Sequence, residues 1–128
     1  MHRKPIFFFS LLMVLFLAGC GGGGPPANVK NGQALFNQSV IGKGPGCSTC
    51  HSLSEKQVWV GPSLAGIATQ AVKRIPEIAA DDYLRRSILE PDAFLVPGFA
   101  AGTMPKTYSS ELKPEQLADL VAFLMTLK

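Results

Sequence analysis

Cys47-Ser48-Thr49-Cys50-His51 gathers two thiols and an imidazole into five residues, and few chain arrangements can use all three. A structural zinc site wants four ligands, and adjacent residues such as Cys50 and His51 seldom reach one tetrahedral centre. The one other histidine is His2, near the N-terminus. A thioredoxin-like dithiol sits beside a βαβ pattern, and no segment of this chain alternates as a strand should. Neither chemistry suits the motif.

Covalent attachment of a haem uses every residue of it. Two thiols add to the two vinyl groups of a porphyrin, and two intervening residues match that separation along one helical turn. His51 then lies beneath the iron as its proximal ligand. The rest of the chain argues the same way. About 90 residues carry ordered structure, and long Gly/Pro-rich loops interrupt them, so a core built from side chains alone is thin. An apolar macrocycle held in the middle supplies what is missing.

The N-terminus has a second organisation. His2, Arg3 and Lys4 precede an apolar run from Ile6 to Ala18 broken only by Ser10. That layout is a secretory leader's, and the run is shorter than the ~20 residues a membrane-spanning helix needs. Leu17-Ala18-Gly19-Cys20 resembles the lipobox of bacterial lipoproteins, which implies cleavage before Cys20 and lipidation of its thiol. A plain signal peptide with an incidental cysteine and an uncleaved anchor are the alternatives. The chain thus divides into a leader (1–19), a lipidated cysteine with a Gly/Pro tether (20–30) and a folded domain (31–128). The tether, with four consecutive glycines and two prolines, cannot bury apolar surface. Gly21 to Asn31 spans at most about 35–40 Å.

The leader also accounts for most of the charge. The whole chain counts 12 Lys+Arg against 9 Asp+Glu, a net of +3. Arg3 and Lys4 belong to the leader, which leaves the mature part a formal +1, and two haem propionates bring it to about −1. Nothing here points to nucleic acid or another polyanion. With Cys20 lipidated and Cys47 and Cys50 on haem, none of the three cysteines remains for a disulfide.

Along the domain the expected elements are helices. Asn31 can cap a short helix through Asn37, with Leu35 and Phe36 as its apolar contacts. Ile41 to Gly46 is a loop leading into the motif, and a second loop runs from Ser52 to Gly61. Ile67 to Ile75 is partly helical. Asp81 or Asp82 opens a helix that places Tyr83, Leu84, Ser87 and Ile88 on one side, and Pro91 ends it. Asp92 to Tyr108 is a long loop. Ser109 or Ser110 caps the last helix, where Pro114 suits the first turn. Leu117, Leu120, Val121, Leu124 and Leu127 repeat there at helical spacing. The fold class is all-α.

Residues 31 to 128 resemble a bacterial class I, monohaem cytochrome c. Gly32 and Phe36 fall where that family has a glycine and an aromatic residue in its first helix. Leu120-Val121-Ala122-Phe123-Leu124 resembles its last helix, and Pro62-Ser63-Leu64 the segment below its proximal histidine. The resemblance implies three to five short helices wrapped around one covalent haem c, with the N- and C-terminal helices crossing. It implies that Pro62 accepts the His51 Nδ1 proton through its carbonyl and that Leu64 packs on the haem face. It also implies that Met104, which precedes Pro105 in the long loop, is the second iron ligand. Met104 as a gap-filler beside the haem is the alternative, and Met125 on the last helix reads as packing.

Phe94, Leu95, Val96 and Phe99 are expected to line the Met104 face, with Gly98 and Gly102 letting the backbone bend near it. Trp59, Tyr108, Arg85 and Arg86 are open as propionate partners or as packing. The functional expectation is a non-enzymatic single-electron carrier, exported and lipid-anchored at the periplasmic face of the cytoplasmic membrane. It would serve redox partner proteins of a respiratory or photosynthetic chain. A fixed subunit of a quinol-oxidising or oxidase complex is one rival, and a haem enzyme or gas sensor is another.

Overall fold

Asn28 opens the fold. In the computed structural model, which describes residues 26–55 and 57–128, its backbone is extended and its side chain caps helix α1 (Val29–Phe36). Asn28 Oδ1 accepts from the N–H groups of Lys30 and Asn31 at 3.0 and 3.2 Å, satisfying donors that the first turn leaves free. Asn31, the expected cap, is inside the helix. The earlier start has a long-range cause, because the Asn28 N–H donates to Asp119 Oδ1 at 2.6 Å from across the domain. The leader, Cys20 and the glycine run lie outside the described residues.

After α1 the chain makes a small antiparallel pair, β1 (Val40–Ile41) and β2 (Gly44–Pro45), with Val40 opposite Pro45 and Ile41 opposite Gly44. Two-residue strands are too short to alternate visibly, so sequence periodicity gives no sign of them. The pair is pinned from outside: the Tyr108 hydroxyl donates to the Pro45 carbonyl at 2.6 Å.

Helix α2 (Ile67–Ala71) is shorter than the expected Ile67–Ile75. Helix α3 (Ala80–Leu89) starts one residue before Asp81 and keeps Asp81 and Asp82 in its first turn, where carboxylates complement the helix dipole. It ends before Pro91, with Glu90 forced out of helical geometry at φ −131°, ψ 65°, as the residue preceding a proline should be. Ser109 and Ser110 do not cap the last helix. They lie within a separate short helix, α4 (Tyr108–Glu111). Helix α5 (Pro114–Leu124) begins instead with Pro114 at its first position and with Gln116 Oε1 accepting from the Lys113 N–H at 3.0 Å.

The principal helix contact is α1 against α5. It is close because Gly32 faces the backbone of α5: a Cβ there would lie 2.5 Å from the Asp119 carbonyl carbon and 2.9 Å from Phe123 Cβ. The Phe36 and Phe123 rings pack beside this crossing with centroids 5.4 Å apart and planes tilted by 52°, a favourable aromatic geometry. Leu117, Leu120, Val121, Phe123 and Leu124 form the buried stripe of α5, and Tyr83 and Leu84 bring α3 onto it. The C-terminus is held by the Ala68 N–H, which donates to the Leu127 carbonyl at 2.9 Å. Among the described residues no helix is long and apolar enough to cross a membrane.

Candidate cofactor site

Cys47 to Thr49 form a single tight helical turn. The N–H groups of Cys50 and His51 both donate to the Cys47 carbonyl, at 3.2 and 2.9 Å, so the motif is wound onto itself. Thr49 locks its start, its hydroxyl donating to the Gly46 carbonyl at 2.6 Å. The following segment returns beside the turn. Gly61 N–H reaches the Cys50 carbonyl at 2.9 Å and Leu64 N–H reaches the Ser52 carbonyl at 2.8 Å.

That return fixes His51. Its Nδ1 lies 2.8 Å from the Pro62 carbonyl oxygen. A carbonyl can only accept, so Nδ1 carries the proton and the lone pair is on Nε2. Burial holds the imidazole below its ordinary pKa, and the Pro62 bond opposes that only partly; the ring is therefore neutral and free to bind a metal. Gly61 backs the ring closely. A Cβ there would stand 2.5 Å from His51 Cε1 and 2.8 Å from Nδ1. Nothing in the sequence marks Gly61 beyond its place one residue before Pro62.

Burial pushes the Cys47 thiol up to about 11, with the neighbouring Cys50 adding to the effect against a backbone hydrogen bond. A redox dithiol needs the opposite, a thiolate favoured at neutral pH.

One cleft collects these groups. Cys47, Cys50, His51, Pro62, Leu64 and Met104 all line it, so every expected site residue of the described chain faces the same space. Phe94, Leu95, Val96 and Phe99 line it too, whereas Met125 does not and packs against the core. Gly98 and Gly102 take positive φ, 92° and 75°. The cleft is bounded by core residues themselves: Phe36, Tyr83, Leu84, Leu120 and Leu124 are buried and form its wall. Its empty space is about 1230 Å³ with the solvent-facing mouth included.

The polar candidates sort differently. Arg74 lines the cleft, half-buried, with a guanidinium nitrogen donating to Gln70 Oε1 at 3.0 Å. Arg85 and Arg86 do not line it, and Arg86 pairs with Glu90 at 3.6 Å instead. Tyr108 lines it, but its hydroxyl is committed to Pro45. Trp59 is 51% exposed and stands outside.

The donor set fits a covalently held haem: two thiols on one turn, a neutral imidazole with Nε2 free, a thioether, an apolar wall and one cation. A family model described as Cytochrome c matches residues 29–128. The chain belongs to the cytochrome c family. No curated protein matches it. As a class I cytochrome c it is an electron-transfer haem protein whose haem c, with its iron, is covalently bound. The five α-helices among the described residues and the packing of α1 on α5 are those of that fold. The match also begins at Val29, the first residue of α1.

Proposed function

We propose that this cytochrome is a membrane-tethered single-electron carrier in which Cys47 and Cys50 hold the haem by thioether bonds, and His51 and Met104 are the axial ligands. The observation that carries the reading is the convergence of Met104, from a loop far along the chain, on the cleft that also receives the motif. Bound haem supplies a one-electron iron couple. The chain's part is to hold both ligands still and keep the surroundings apolar. Pro62 orients the His51 ring and keeps its proton on Nδ1. Leu64 and the Phe94–Phe99 segment exclude water, and Arg74 offers a positive charge to a carboxylate-bearing edge. With two protein ligands no position is open for a substrate, so one electron enters from a donor and one leaves to an acceptor through transient docking.

The tether reading rests on Leu17-Ala18-Gly19-Cys20 and on the Gly/Pro stretch after it. It gives a bacterial lipoprotein cleaved before Cys20, with residues 20–27 as the tether and the domain from Asn28 onward, at the periplasmic face of the cytoplasmic membrane. Its redox partners are proteins of a respiratory or photosynthetic chain within tether reach.

Reduced-minus-oxidised spectra of membrane and soluble fractions test both halves. The native chain should give a c-type spectrum in membranes, and Cys20→Ser should move that spectrum to the soluble fraction. Met104→Ala should abolish the weak red charge-transfer band of ferric Met–Fe ligation and admit carbon monoxide to the ferrous form. Persistence of the band would transfer the ligand role to Met125, and a native protein that binds carbon monoxide readily would not be a dedicated carrier.

A further inference from the structure

Pro91 ends α3 and is buried, and the next residue, Asp92, therefore stands on a fixed support. From there its two carboxylate oxygens reach across to the loop that carries Met104. Oδ1 accepts from the Gly102 N–H at 2.8 Å, and Oδ2 pairs with Lys106 Nζ at 2.6 Å. Gly102 lies two residues before Met104 and Lys106 two residues after it, so one side chain grips both flanks of the methionine. Within the loop, Thr103 makes only a local turn, its hydroxyl donating to the Ala100 carbonyl at 2.8 Å. Asp92 and Met104 line the same cleft.

We propose that Asp92 is the positioning residue for Met104, clamping both flanks of its segment to the turn that follows α3 at buried Pro91 and so setting how readily an outside ligand displaces the thioether. The inference rests on the reading of Met104 as an iron ligand. A short loop held only by its own turns opens easily, and opening is the step that exposes the sixth position. Two charge-assisted bonds to the turn after α3 oppose it. The Asp92 carboxyl is held below its ordinary range, first by the Gly102 N–H and then by Lys106, as a carboxylate engaged on both oxygens should be. The backbone at Gly102, with φ +75°, turns its N–H towards this acceptor in a conformation other residues rarely adopt.

The test is an imidazole titration of the ferric haem-bound protein, read by loss of the red Met–Fe band. Asp92→Ala should raise the apparent imidazole affinity by about tenfold. Asp92→Asn and Lys106→Met, which each keep one of the two ties, should raise it about threefold. Glu90→Gln breaks the neighbouring Arg86 pair without touching the loop and should leave the affinity unchanged. Hydrogen exchange at the Gly102 amide should accelerate in Asp92→Ala while the α5 core amides keep their protection. If Asp92→Ala does not fold, Asp92→Asn and Lys106→Met decide. A native protein that shows the band, with variants inside twofold of its imidazole affinity, overturns the clamp alone. Equal effects from Glu90→Gln also overturn it. A native protein without the band overturns the Met104 ligation and the clamp with it.

Discussion

Replacing Gly32 with alanine sets two energies against each other, and the structure says which wins. Alanine is the better helix former by about 1 kcal/mol, so on propensity alone Gly32→Ala should stabilise α1. The added methyl, however, falls 2.5 Å from the Asp119 carbonyl carbon and 2.9 Å from Phe123 Cβ. Carbon contacts relax near 3.5–4.0 Å, so the two helices must part by about 1 Å. The first of those atoms is backbone and cannot rotate aside. Overpacking of this kind costs about 1–3 kcal/mol, and here the upper part of that range applies, because separation also loosens the Phe36–Phe123 pair and the Asn28–Asp119 bond. The net loss is about 1–2 kcal/mol, which for a domain near 100 residues lowers the melting temperature by roughly 5–15 °C. Thermal unfolding of the haem-bound protein by circular dichroism measures it. Ala34→Gly, on the exposed side of α1, supplies the propensity term by itself. A Gly32→Ala protein as stable as the native one would refute the close-crossing argument.

Gly61→Ala should tilt the His51 ring, since its methyl would stand 2.5 Å from Cε1; an altered ferric spectrum at unchanged haem content is expected, and an identical spectrum would contradict the geometry. Cys47→Ser combined with Cys50→Ser should leave no haem on the chain after denaturation, and retained covalent haem would remove the attachment assignment. Tyr108→Phe leaves the Pro45 carbonyl without its donor and should cost about 1 kcal/mol at neutral pH. Burial is the main cause that raises the Tyr108 phenol from 10.0 to about 12. The folded state therefore holds that proton more tightly, and its contribution is full below pH 10 and lost as pH rises towards about 12. Denaturant unfolding should weaken over that window more steeply in the native protein than in Tyr108→Phe; equal slopes would count against a buried phenol.

What could be read from residues alone was local chemistry and strong periodicity. The Cys47–His51 turn needs only its own backbone to form, and the stripe on α5 repeats plainly enough to survive any context. Met104 is placed by the resemblance to the family rather than by composition, and the apolar Phe94–Phe99 segment is expected beside it on the same ground. The misses share another cause, in that distant contacts chose between local equals. Asn28 and Asn31 are equally good caps, and Asp119, far along the chain, selects the first. Arg74, Arg85 and Arg86 look alike on paper, yet only the first lines the cleft. Gly61 was invisible for the same reason, because what forbids a side chain there is a ring belonging to another segment.

The α1–α5 crossing has a further consequence, one of timing. Its partners lie at the two ends of the domain, and Leu120 and Leu124 of α5 also form part of the cleft wall. A chain that emerges N-terminus first exposes Cys47 and Cys50 while the roughly 70 residues through the end of α5 are still to come, which at ~5–20 residues per second is several seconds. Throughout that interval α1 has no partner and the cleft lacks a side. The thiols are accessible then and progressively buried afterwards, so the order in which the chain appears sets a window for the modification that its own fold later closes.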